Sequence, residues 1–212
     1  MSYTGYAQSK NNMTNDSITI PLKIGKNPSI QFENIIIEPS NLFIQSTVIN
    51  NSSPEIQLEL NVFENHTEYA TFLWCYDAFN NRKKINYPKA YQNYSFDLKI
   101  DKDLVALVVN KLDFEKPMFI DLGQTAIIGK LEILFKDYIS EWSEDIDGNQ
   151  TDVFNSYHIL LSEGETQKMV SFNSLNKAED KGLTIEWKHY NIMVLEDSDK
   201  AIKLMVFKND KQ

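Results

Sequence analysis

The residues of this chain best suited to hold a ligand are aromatic. Tyr69, Phe72, Trp74, Tyr76, Phe79, Tyr87, Tyr91, Tyr94 and Phe96 crowd one region. An exposed Tyr or Trp offers a flat apolar ring with a polar edge, which can stack on a sugar or anchor a protein partner. Phe72, Trp74 and Tyr76 recur at every second position, so on a strand they share one face. The expectation for these three is that they fill the core. Tyr87, Tyr91 and Tyr94 fall instead in a polar stretch with Pro88 and Lys89, where a loop would leave them exposed. They are the candidates for contact with a protein or glycan partner.

Acidic side chains offer a second chemistry. Asp145, Asp147, Asn149 and Asp152 surround Gly148 in the most acidic stretch of the chain. Calcium takes about six to eight oxygen ligands, which alternate positions of a turn can supply. DIDGNQTD resembles a calcium loop of the EF-hand or dockerin kind only in composition. The glycine comes too early in it, and Ser156 stands where a bidentate Glu is required. A solvated hairpin loop is the competing expectation. No other cofactor is implied.

Nucleophilic and acid–base chemistry finds little support. His66, His158 and His189 are far apart in sequence, with no Ser or Cys nucleophile placed beside them by spacing. The single cysteine, Cys75, lies between Trp74 and Tyr76 with no cation adjacent, which suits a small buried apolar residue. Phosphate-binding glycine loops, metalloprotease helices and serine-hydrolase elbows are all missing. A pair of carboxylates in a β fold leaves no local signature, however, so a sugar-chain hydrolase remains an alternative.

The elements that must position these residues read as strands. In Phe119–Tyr138, apolar Ile127, Ile128, Leu131, Ile133 and Phe135 alternate with Lys130, Glu132 and Lys136. The spacing predicts one long half-buried strand there, with a turn at Gly123 and a bulge or close approach at Gly129. Ile18–Ile24, Ile30–Ile37, Leu42–Ile49, Glu55–Phe63 and Phe96–Ile100 alternate likewise, and Pro21 places the first at a sheet edge. Leu183–Leu195 reads as one strand bulged near His189. No repeat of 20 to 50 residues stands out. The fold class is therefore all-β, one or two antiparallel β-sandwiches. The expected organisation is a polar tail over 1–16, a sandwich-like domain over 17–116 and an immunoglobulin-like sandwich over 117–212.

Charge and hydropathy bound the partners. The formal net charge of −9 argues against nucleic acid and anionic membranes. The longest apolar run, Leu104–Val109, is far shorter than the roughly 20 residues a transmembrane helix needs. Gly5-Tyr6-Ala7 has the small-x-small form that ends a secretory signal, which suggests a secreted or periplasmic protein and leaves a cytoplasmic one open. The expectation from all of this is a non-catalytic extracytoplasmic binding or assembly module. The hydrolase and a calcium-stabilised surface module are its alternatives.

Overall fold

A computed structural model of the chain describes residues 12–14, 16–45, 54–78, 83–102, 104–174 and 183–209. The expected polar tail or signal remnant lies almost wholly outside these residues. Among the described residues there is no helix, so none is long and apolar enough to cross a membrane. In chain order the strands are β1 (Asn12–Thr14), β2 (Ser17–Leu22), β3 (Ile30–Phe32), β4 (Ile35–Gln45), β5 (Glu55–Glu64), β6 (Thr67–Tyr76), β7 (Lys83–Ile85), β8 (Lys89–Tyr91) and β9 (Tyr94–Asp101). They continue as β10 (Leu104–Lys111), β11 (Met118–Asp121), β12 (Thr125–Ile128), β13 (Leu131–Glu144), β14 (Gln150–Glu163), β15 (Thr166–Asn173), β16 (Leu183–Trp187), β17 (Tyr190–Asp197) and β18 (Ala201–Lys208). The all-β expectation holds. The chain divides into two compact units, 1–85 with 96–110 and 86–95 with 111–212.

In the first unit β3 to β7 form an antiparallel meander, and β2 pairs with β10 on one side and β1 on the other. Alternation drives the packing. Ile56, Leu58, Leu60 and Val62 of β5 point inward and are fully buried, while Gln57, Glu59 and Asn61 between them are half-buried on the other face. Each such side chain contributes about 1.5–3 kcal/mol by leaving water. The stretch Ile30–Ile37 is not one strand. Glu33, at φ 51°, and Asn34 turn it into the β3–β4 hairpin, with Phe32 paired to Ile35. β4 runs on through Pro39, which a bulge between Pro39 and Asn41 absorbs.

In the second unit β12 to β15 form one meander, and a second sheet runs β8-β11-β18-β17-β16. Both sheets supply the core: Met118, Ile120, Ile192 and Leu204 from one meet Ile133, Phe135, Tyr157 and Ile159 from the other. This is a sandwich of two sheets over one core. Its strands follow one another in sequence around the two sheets. That order does not carry the immunoglobulin-like connectivity expected over 117–212, which needs Greek-key crossings. The expected turn at Gly123 is present, but the alternating run after it is two strands rather than one, split by a two-residue turn at Gly129–Lys130 where a bulge or close approach was expected. The turn Lys188–His189 likewise makes a hairpin of the expected single strand Leu183–Leu195.

A glycine corner hands the chain from one sheet to the next in the second unit. Gly123 adopts φ 81° and donates its N–H to Phe135 O at 2.7 Å. A Cβ there would touch nothing within 4 Å, so the cost of a side chain is purely conformational. Gly123→Ala is therefore expected to lower stability by about 1–2 kcal/mol, the cost of left-handed backbone for an L-residue. The readout is an earlier urea midpoint at unchanged slope; an unmoved midpoint would show that the corner relaxes freely.

Candidate functional site

The tyrosines expected at the surface are inside. Tyr87, Tyr91 and Tyr94 are 4%, 3% and 0% exposed, so they cannot form the patch anticipated for a ligand or partner. The reason is that the stretch is not a loop. β8 pairs in parallel with β11, with Lys89 opposite Phe119, and this draws Lys89–Tyr91 into the second unit. Lys89 is itself buried and its ammonium pairs with the Asp121 carboxylate.

The aromatics expected in the core are outside. Phe72, Trp74 and Tyr76 are 53%, 37% and 38% exposed. Tyr69, Thr71, Leu73 and Cys75 take the inward positions of β6, and the strand period leaves the other set facing out. Cys75 is buried, as expected. Register places Gln57 of β5 and Ile85 of β7 on either side of Trp74, with Phe43 of β4, 52% exposed, beyond Gln57. Glu59 stands beside Phe72. The rings of Trp74 and Tyr76 lie 5.7 Å apart at 32°. The outward face of the β4–β5–β6–β7 sheet thus carries a row of aromatic rings with amide and carboxylate groups beside it.

The acidic loop is organised from within. Asp145 accepts hydrogen bonds from the Asp147 N–H at 3.0 Å, the Asn149 N–H at 2.8 Å and the Asn149 side-chain amide at 3.0 Å. The Asn149 amide, then its N–H, hold the Asp145 carboxyl below its ordinary value. Asp145 is therefore the acceptor that closes the turn joining β13 to β14. Asp147 is exposed in that turn, and Asp152 lies in β14. Among the described residues no three His, Cys, Asp or Glu side chains are grouped to hold a metal ion. Beside this turn, Ile139, Trp142, Ile146, Val153 and Phe154 are exposed, with Trp142 opposite Val153.

Two further clusters in the second unit were not visible in sequence. His158 lies between Ser171, with Nδ1 2.9 Å from its Oγ, and Ser156, with Nε2 3.4 Å from its Oγ; Asp137 is its cross-strand neighbour. The residue types are those of a hydrolytic triad, but the Asp137 carboxylate accepts from the Tyr138 N–H. Both serines stand on an outward strand face rather than in an enclosed site. The other cluster joins two turns. Glu163 accepts from Lys188 Nζ at 2.8 Å and from the Tyr190 hydroxyl at 2.9 Å, with His189 Nε2 3.7 Å away. Lys188, then Tyr190, lower the Glu163 carboxyl. Burial, then Glu163, push the Tyr190 hydroxyl up to about 12. Near neutral pH this fixes an anion and a neutral donor, which ties the β14–β15 turn to the β16–β17 turn. A general acid needs its carboxyl raised, and those of Asp145 and Glu163 are displaced the other way.

No protein-family model matches the chain, and no curated protein or solved structure matches it significantly.

The Glu163 tie makes a pH prediction. Because its folded-state value is depressed, its contribution to stability is present above the unfolded value of 4.5 and is lost as pH falls through the folded value. The stability gap between the parent and Glu163→Gln is expected to close as pH drops below that window, measured by urea titration at a series of pH values. The same substitution should move the Tyr190 hydroxyl down from about 12 toward its ordinary 10.0, followed by NMR of ring-labelled tyrosine. An unmoved Tyr190 would show that the hydrogen bond is absent in solution.

Proposed function

We propose that this protein is a non-catalytic, extracytoplasmic binding module that takes a neutral glycan chain on the outward face of the β4–β5–β6–β7 sheet. The observation that carries the reading is the exposure of Phe72, Trp74 and Tyr76 in one row, with Phe43 across the sheet from Trp74. Large aromatics left in water on one face cost stability unless a partner covers them, and such patches mark binding surfaces. Alternate residues of a strand stand about 7 Å apart, so the row offers flat rings at a regular pitch along a nearly straight line. A chain of sugar rings matches that repeat through its apolar ring faces.

Polar groups beside the row suit the same ligand. Gln57 is paired with Trp74 and Glu59 with Phe72, so hydrogen-bonding side chains flank the rings where sugar hydroxyls would lie. Glu59 and the net charge of −9 disfavour an anionic polysaccharide, which favours an uncharged one. The extracytoplasmic assignment is supported by the small-x-small segment Gly5-Tyr6-Ala7 and by the kind of ligand the face fits.

The test is binding of the neutral hexasaccharides cellohexaose, xylohexaose and laminarihexaose, followed by calorimetry and by quenching of tryptophan fluorescence. At least one is expected to bind, and Trp74→Ala should weaken it at least about tenfold, as for a central aromatic anchor. If none of the three binds at millimolar concentration, the glycan reading falls and a protein partner becomes the explanation of the face.

A further inference from the structure

The two units repeat one pattern. In each, the first long strand pairs antiparallel with the last: Ile20 and Leu22 of β2 face Leu107 and Val105 of β10, and Met118 and Ile120 of β11 face Leu204 and Ile202 of β18. Each first strand ends at a glycine corner. Gly25, at φ 86°, exchanges both backbone hydrogen bonds with Leu42 of β4. Gly123, at φ 81°, donates to Phe135 of β13, whose N–H returns to Gln124 O at 3.1 Å. An exposed apolar residue precedes each corner, Ile24 in one and Leu122 in the other.

The correspondence continues through the meanders. A two-residue turn follows Phe32 in the first and Ile128 in the second, and returns to Ile35 and Leu131. β4 and β13 each carry a bulge against their next strand. The following hairpin turns after a glutamate and resumes at a threonine in both: Glu64 with Thr67, and Glu163 with Thr166. The first turn residue is left-handed in each, Asn65 at φ 46° and Gly164 at φ 59°. Seven strands match in order and pairing, β2 to β6, β9 and β10 with β11 to β15, β17 and β18, and the first and third hairpins of each meander share a two-residue turn. Equivalent positions lie 96 to 99 residues apart from Gly25 and Gly123 through Thr67 and Thr166, although the residue bonded to each corner, Leu42 or Phe135, stands at a different distance along its strand. Independent folds would not share corner, turn lengths and pairing partners together.

Counting from the shared threonine shows where the copies differ. Leu73 and Phe172 are equivalent and both are buried. On the outward side, Phe72 is equivalent to Ser171 and Trp74 to Asn173. Their neighbours change too: Gln57 and Glu59 in the first copy become Ser156 and His158 in the second. The same scaffold therefore folds with polar residues at these four outward positions, although Ile139, Phe154 and Met169 stand exposed elsewhere on that face, so Phe72 and Trp74 are no requirement of the fold. We infer that the chain is a tandem duplication of one β unit, and that glycan contact is confined to the first copy, with Phe72 and Trp74 at the positions Ser171 and Asn173 hold in the second. The second clause rests on the binding function proposed above.

Reciprocal exchange in the full-length chain tests both clauses separately. The variants are F72S/W74N and S171F/N173W, labelled with 5-fluorotryptophan and read by fluorine NMR, thermal unfolding and hexasaccharide binding. S171F/N173W is expected to fold with its midpoint within a few degrees of the parent, because both changes face solvent. Its added indole should show the solvent-isotope shift of an exposed ring, as the Trp74 resonance does. Unfolding, or a shielded new indole, would overturn the equivalence of the copies. F72S/W74N should also fold and should lose at least tenfold in affinity for whichever of the three hexasaccharides the parent binds. Retained affinity would overturn confinement to the first copy. If the parent binds none of them, the binding function and the confinement fall together, while the fluorine measurement still decides the duplication.

Discussion

Adjacent residues of a strand cannot share a face, and in β6 that geometric constraint decides the surface of the first unit. Tyr69, Leu73 and Cys75 are held inside by apolar packing. Moving Trp74 into the core would require the strand to slip by one residue, which would expel all of them at once. The inward set of β5, four fully buried aliphatic side chains, resists that slip from the neighbouring strand. The exposure of Phe72, Trp74 and Tyr76 is thus a consequence of core packing on the opposite side of the sheet. A ring carried on a paired strand has less backbone freedom to lose on contact than one carried on a loop.

Much of the architecture was legible because burial imposes a period of two. β5 and β9 alternate cleanly in sequence and do so in the structure. Gly123 announced its corner, since few other residues tolerate left-handed backbone. The turn at Glu33–Asn34 gave no such signal. It lacks both Gly and Pro, and the isoleucines on either side read as one continuous run. Lys188–His189 hid the β16–β17 hairpin for the same reason.

The candidate site was legible in composition and illegible in orientation. Period two says that Phe72, Trp74 and Tyr76 share a face, but not which face; that depends on the rival set Tyr69, Thr71, Leu73 and Cys75 winning the core. The inward set mixes polar with apolar residues, so hydrophobicity alone favoured the aromatics. For Tyr87, Tyr91 and Tyr94 the error ran the other way. Their polar surroundings hid a short parallel pairing with a strand far along the chain. His158 met its serines through cross-strand register, and the duplicated unit shows itself through shared corners rather than through shared sequence, since few identities such as Glu64 with Glu163 survive.

Pro21 has a consequence for the behaviour of the molecule in concentrated solution. It sits in β2 two residues past Thr19, the last β2 residue paired with β1 among the described residues, and its nitrogen carries no hydrogen. A strand from a neighbouring molecule laid along β2 would find no donor at Pro21. Natural sheets use proline in this way to stop themselves from templating aggregates. The residue costs the chain one potential bond and protects it from growing by accretion at that edge.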